Sequence, residues 1–189
     1  MKKLNIGIDA HALTNVIGLA FDDMEDPVLY GKVSADLNCT VDAIRRILKK
    51  YDLKKEDVKI CYEAGPTGFV LARRLIKLGF DCIVVAPSLI AKKPGEKKKT
   101  DRRDARKLAN YLRANDLTAV HIPDVDDEVI RDVCRGRTDA SQELSRTKKQ
   151  LKSFLLRNGY KYKGKANWSN AHMRYLRELV MAHPSQKLV

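Results

Sequence analysis

Around residue 100 the chain reads Thr100-Asp101-Arg102-Arg103-Asp104-Ala105-Arg106, with Leu108 and Leu112 following. Wound at about 100° per residue, this stretch is a helix whose buried stripe is Ala105, Leu108 and Leu112, and Asp101 and Asp104 lie within roughly 60° of that stripe. Arg102, Arg103, Arg106 and Lys107 fall on the other side. Acids on a helix surface ordinarily pair with such bases, so this sorting sends two carboxylates toward the body of the domain. Ionised carboxylates are held there only by a cation or by hydrogen-bond donors. The helix start is one source of donors, with Asp101 as N-cap and Asp104 at the third helical position. A metal ion is the other. Asp9 closes one strand-like segment and Glu63 closes another, just before Ala64-Gly65-Pro66-Thr67-Gly68. If both strand ends meet the helix start at one sheet edge, three or four acids offering only oxygen suit Mg²⁺ or Mn²⁺. Two such ions can activate a nucleophile and stabilise the leaving oxygen of a phosphodiester.

The elements that must position these residues are legible as periodicities. Residues 3–9 alternate, with Leu4, Ile6 and Ile8 on one face and Asn5, Gly7 and Asp9 on the other, which predicts a strand. Apolar runs Val16–Phe21 and Val28–Val33, joined by short polar links, extend it into an antiparallel meander. Val41, Ile44, Ile47 and Tyr51 form a helical stripe, Val58–Glu63 a strand, and Leu71, Leu75 and Leu78 a second helix stopped by Gly79. Cys82–Ala86 is a short apolar strand of the kind buried on both faces. The order β-β-β-α-β-α-β predicts an α/β domain with a mixed sheet. Residues 91–100, AKKPGEKKKT, read as an exposed loop, and a helix follows from about Asp101 to Ala114. Beyond Pro123, Ile130, Val133, Arg137, Ala140, Leu144, Thr147, Leu151 and Phe154 recur in steps of three and four. That seam predicts a long helix, as a hairpin arm, an oligomerising coiled coil, or an amphipathic helix packed on its own domain. A linker, 159–167, precedes a last helical stretch around Trp168, Met173, Leu176 and Leu179.

Charge points to the partner. Of the 189 residues, 37 are Lys or Arg and 24 are Asp or Glu, a net charge of +13. Residues 1–89 hold 13 basic and 12 acidic side chains, so nearly all of the excess lies in the second half. That asymmetry favours a polyanion, nucleic acid before membrane. No apolar run is long enough to cross a bilayer and no signal peptide is recognisable, which predicts a cytoplasmic, nucleoid-associated protein. Cys39, Cys61, Cys82 and Cys134 form no paired motif and read as inert thiols. His11, His121, His172 and His183 are too scattered for a shared metal site and read as surface or capping residues. Tyr160 and Tyr162 alternate with lysines and could stack on unpaired bases.

Two motifs carry a resemblance. Gly7-Ile8-Asp9-Ala10-His11 resembles the first-strand motif of the RuvC-like branch of the RNase H fold. Glu63-Ala64-Gly65-Pro66-Thr67-Gly68-Phe69, then Thr100-Asp101-Arg102-Arg103-Asp104-Ala105 and a long helix, resembles the DEDD-type insertion-sequence transposases of the family numbered one-ten, relatives of the Piv-type DNA invertases. The likeness covers nearly the whole chain. It implies a RuvC-like, RNase H-like α/β domain over residues 1–122, with Asp9, Glu63, Asp101 and Asp104 as a tetrad holding Mg²⁺ or Mn²⁺. Residues 123–158 would be a long coiled-coil-like arm, and 159–189 a linker and helix leading to a C-terminal transposase domain with a catalytic serine. No serine here sits in such a context, so the chain is expected to be an N-terminal half, incomplete for recombination. The resemblance also implies a structured guide RNA and assembly as dimers or tetramers.

The leading expectation is therefore the RuvC-like domain of a DNA transposase or recombinase, cleaving and exchanging strands with metal. Lys92, Lys93, Lys97, Lys98 and Lys99 in the loop, Arg102, Arg103 and Arg106 on the helix, and Lys148, Lys149 and Lys152 on the arm would hold double-stranded DNA and guide RNA. Asp9 would bridge the ions, Glu63 and Asp104 would complete their shells, and Asp101 would act as ligand or proton acceptor. Two alternatives share the same residues: a junction-resolving nuclease complete as it stands, and a non-catalytic nucleic-acid-binding and oligomerisation module whose acids are only caps.

Overall fold

Residues 3–89 and 100–188 are described by a computed structural model of the chain. Among the described residues there are five strands, β1 (Leu4–Ala10), β2 (Thr14–Phe21), β3 (Val28–Ser34), β4 (Val58–Glu63) and β5 (Asp81–Val85). Its longer helices are α1 (Leu37–Tyr51), α2 (Val70–Lys77), α3 (Asp101–Arg113), α4 (Val125–Arg157) and α5 (Asn170–Glu178). The strands form one mixed sheet in the order β3-β2-β1-β4-β5. The first three make the antiparallel meander, while β4 lies parallel to β1 and β5 parallel to β4. This is the RNase H-like α/β arrangement, and the 33-residue helix α4 follows it in the chain. Met1–Pro123 forms one compact unit and Asp124–Val189 a second.

In the first unit the two sheet faces are covered by different chemistry. Ile6, Ile8, Ile17, Leu19, Ile60, Tyr62 and Val84 point to the face that α1 and α2 cover with Ile44, Ile47, Leu71 and Leu75, all buried. The face carrying Gly7 and Gly18 receives α3. These two glycines are direct cross-strand partners. A Cβ on Gly18 would come within 2.5 Å of the Ala105 carbonyl oxygen, and one on Gly7 would fall on the backbone of Ala105 and Ala109. The helix backbone thus rests on bare sheet, with Ala105 and Ala109 fully buried in the contact. Arg113 holds the far end of α3, donating to the carbonyls of Phe21 (2.9 Å), Met24 and Glu25 (2.8 Å). Phe21 is the register partner of Leu4 at the start of β1, so α3 runs antiparallel to β1. Its first residue is therefore delivered to the end of β1, where Asp9 lies.

The second unit is built on α4, capped by Asp124, whose side chain accepts from the Asp127 amide at 2.8 Å. After Gly159, which has φ +80°, the chain folds back on the C-terminal part of α4. His172 is buried between Trp168 and Tyr162, at ring distances of 5.1 and 4.6 Å, and its Nδ1 accepts from the Trp168 amide at 2.9 Å. This corrects the reading of His172 as a surface residue: its apolar neighbours, 10 or fewer positions away, are brought to it by a turn with Trp168 at φ 66°. The Tyr160 hydroxyl accepts from the Ala182 amide at 2.8 Å and Tyr162 packs on Tyr175 as well as His172. Both tyrosines thus spend contacts inside this unit.

Candidate metal centre

Because β1 and β4 are parallel, their carboxyl ends share one sheet edge. Ile8 is in register with Tyr62, so the next step along both strands sets Asp9 beside Glu63. Both residues belong to the face on which α3 lies, since Gly7 and Cys61 precede them by two positions on the paired strands. Asp101 is the first residue of α3 and Asp104 stands one turn further on. Strand end and helix start thereby bring residues more than 90 positions apart to one place.

The tightest group is Asp9, His11 and Asp101, whose donor atoms all lie within 4.8 Å of one another. His11 Nε2 is 3.1 Å from Asp9 Oδ2 and 3.7 Å from Asp101 Oδ1. Burial raises the carboxyl pKa of Asp9 above its ordinary value, and the neighbouring charges of Asp101 and Asp104 push the same way, while the His11 imidazole pulls it down. Asp104 keeps one carboxylate oxygen, Oδ2, buried and without a hydrogen-bond partner among the described residues. Leaving such an oxygen unpaired is costly. A cation is the partner its chemistry asks for. Glu63 is half-buried at the same edge, outside the tight Asp9–His11–Asp101 group. The donor set therefore fits a hard or borderline divalent ion.

The two helix acids do not take the cap positions expected of them, although both stand in the first turn of α3, where the helix dipole favours negative charge. Thr100, not Asp101, is the N-cap of α3, no side chain caps that end, and Asp104 lies one position beyond the third helical residue. His11 is the residue that sequence reasoning passed over. The signal for it was local: it stands two positions after Asp9, so an extended chain sends both side chains to one side.

The cationic candidates divide by place. Arg102 and Arg103 are exposed and Arg106 half-buried, beside the acidic edge. Lys149 and Lys152 are exposed on α4, whereas the Lys148 ammonium sits 5.2 Å from the centre of the Trp168 ring. Lys92, Lys93, Lys97, Lys98 and Lys99 lie outside the described residues. Cys61 and Cys82 are buried and their thiols pushed up, that of Cys82 to about 12, mainly by burial, which keeps them neutral. Among the described residues no helix is long and apolar enough to cross a membrane.

Fold and site together define a class: an RNase H-like domain with an acidic edge shared by its central parallel strands and one helix. Comparison with known proteins narrows it. A family model described as a transposase, DEDD_Tnp_IS110, matches residues 6–158. The putative transposase y4qE of Sinorhizobium fredii (strain NBRC 101917 / NGR234) is 45% identical over 185 residues, covering 97% of this chain and 46% of the relative. The transposase for insertion sequence element IS1533 of Leptospira borgpetersenii is 32% identical over 185 residues, covering 94% of this chain and 51% of the relative. The chain belongs to the IS110 family of DEDD transposases. It spans about half the length of the curated relatives it matches.

Proposed function

We propose that this chain is the RuvC-like catalytic portion of a DNA transposase, with Asp9, Glu63, Asp101 and Asp104 holding Mg²⁺ or Mn²⁺ against a DNA phosphodiester. The observation that carries the reading is the meeting of Asp9 from β1 with Asp101 and Asp104 from α3, at a place where burial first, and the two neighbouring carboxylates after it, disfavour charge on Asp9. The bound ion would neutralise charge developing on the phosphate and lower the pKa of an attacking oxygen. Asp9, the more buried of the two acids that face His11, orients from a rigid strand. Asp104 contributes the buried oxygen that lacks a partner. Asp101, 55% exposed, faces the solvent side where a substrate and its released proton are reached.

Arg102 and Arg103, exposed beside this edge, would meet phosphates there, and Lys149 and Lys152, exposed on α4, would meet them along that helix. Such contacts position a duplex without reading its sequence and make affinity fall with salt. In the whole transposase, strand exchange would further draw on a C-terminal domain with a catalytic serine, on a structured guide RNA and on a dimer or tetramer, as the resemblance implies.

The test is thermal unfolding with and without Mn²⁺. Native protein is expected to gain stability with Mn²⁺, and Asp9→Asn and Asp104→Asn to lose that gain; a gain retained in both variants overturns the metal reading and leaves a nucleic-acid-binding module. Without metal, Asp9→Asn is expected to melt above the native chain at neutral pH, because it removes a charge that burial and two neighbouring carboxylates disfavour. That difference should shrink as pH falls through the raised pKa of Asp9, where the native side chain takes up a proton.

A further inference from the structure

The tetrad counts four carboxylates and no nitrogen, yet an imidazole nitrogen stands within 4 Å of two of them. Nε2 of His11 faces Asp9 of β1 and Asp101 of α3 at 3.1 and 3.7 Å. The backbone fixes where that ring starts from. The His11 amide donates to the Thr14 carbonyl at 3.1 Å, closing the short β1–β2 link, and the Ala35 amide donates to the Leu13 carbonyl at 3.0 Å on the same link. Donor atoms at adjacent corners of an octahedral ion with bonds of about 2.1 Å stand about 3 Å apart, and opposite corners about 4.2 Å. Both separations at Nε2 lie between these limits, and the third pair, Asp9 and Asp101, lies within 4.8 Å; Nε2 now shares a hydrogen bond with Asp9 Oδ2, a contact that a small adjustment turns into the edge of a coordination shell. A histidine serving only to steady Asp9 has no need of Asp101 at the same nitrogen. With 46% of its side chain exposed, the ring also sits where a hydrated ion arrives.

We propose that His11 is a nitrogen ligand of the divalent ion held at Asp9 and Asp101, and that it tilts this chain toward Mn²⁺ over Mg²⁺. The inference rests on the reading of the acidic edge as a metal site and adds the chemistry of its selectivity. Mg²⁺ takes oxygen donors almost to the exclusion of nitrogen, whereas imidazole raises affinity along the series from Mn²⁺ upward. An acids-only site would not separate the two ions in this way.

The experiment uses the full chain without a histidine tag, titrated with Mn²⁺ alone and with Mg²⁺ alone, and pulsed electron paramagnetic resonance of the Mn²⁺-loaded protein. The expected result is ¹⁴N modulation in the native spectrum that disappears in His11→Ala, with Mn²⁺ affinity falling about tenfold or more and Mg²⁺ affinity changing about threefold at most. His11→Asp, which replaces nitrogen by oxygen, should bind Mn²⁺ without ¹⁴N modulation and bind Mg²⁺ more tightly than the native chain. Mn²⁺ bound by the native chain with no ¹⁴N modulation, or modulation that persists in His11→Ala, overturns the role of His11 while leaving the carboxylate site standing. Failure of the native chain to bind Mn²⁺ at all overturns both. If His11→Ala fails to fold, His11→Asp carries the same test, and ¹⁴N modulation that persists in it overturns the role of His11.

Discussion

Helices α3 and α4 are both amphipathic, and the molecule treats them in opposite ways. α3 lies with its backbone against Gly7 and Gly18, its small residues Ala105 and Ala109 fully buried. α4 keeps Val125, Val129, Ile130, Val133 and Leu144 between 55 and 68% exposed. The acids of the proposed metal site would have to be held to a fraction of an ångström. On α3 that accuracy comes from taking side chains away, because backbone on backbone leaves no rotamers to vary. On α4 an open apolar seam leaves room for something else to be gripped.

The sharpest way to break this contrast is to make the same substitution in both helical settings. Gly18→Ala places a methyl group on the Ala105 carbonyl, a backbone atom that cannot swing aside. The expected cost is about 3 kcal/mol in urea unfolding, together with loss of the Mn²⁺-induced stabilisation although no acid has been touched. Gly136→Ala in α4 meets nothing within 4 Å and should stabilise by up to about 1 kcal/mol through helix propensity alone. Equal effects at the two sites would remove the distinction between a seated helix and a free one.

A middle-sized effect is expected in the second unit. His172→Ala empties the centre of the Tyr162–Trp168–Tyr175 cluster and leaves the Trp168 amide without its acceptor. The cost should be about 2 kcal/mol, seen as faster amide hydrogen exchange in residues 160–188, while exchange in β1 and β4 stays at native rates. Faster exchange confined to α5 would sharpen the picture further, locating the weak point after the Trp168 turn.

The strands and helices of the first unit were legible because alternation and a 3.6-residue stripe report burial directly: Leu4, Ile6 and Ile8 are buried as their spacing predicts. The site was legible in part for the same reason. Asp101 and Asp104 betrayed themselves by facing the buried stripe, and Asp9 by sharing a face with Gly7. The parallel pairing that puts Asp9 next to Glu63 was not in the spacing of either strand, since register is set by the whole sheet. Nor were Gly7 and Gly18 readable as the seat of α3, because a glycine in a strand announces a close approach without saying of what. His11 read as a surface or capping residue although Asp9 stands two positions before it, because its second neighbour, Asp101, comes from a helix 90 positions away. His172 looked polar and scattered, yet a left-handed turn at Trp168 makes it a core residue.

The seam of α4 gives the smallest expected effect on the single chain and the largest on its association. Its members divide along the helix: Leu151 and Phe154 are half-buried in their own unit, while Ile130, Val133 and Leu144 are exposed. Replacing those three by Asp should change unfolding free energy by less than about 0.5 kcal/mol each, because no packing is lost. In a homo-oligomer joined through this seam the same charges would be buried without partners, and association is expected to weaken by at least tenfold in sedimentation equilibrium. Native association in the triple variant would move the interface elsewhere. A large loss of monomer stability would mean instead that the seam packs on its own chain, and α4 would then resemble α3 after all.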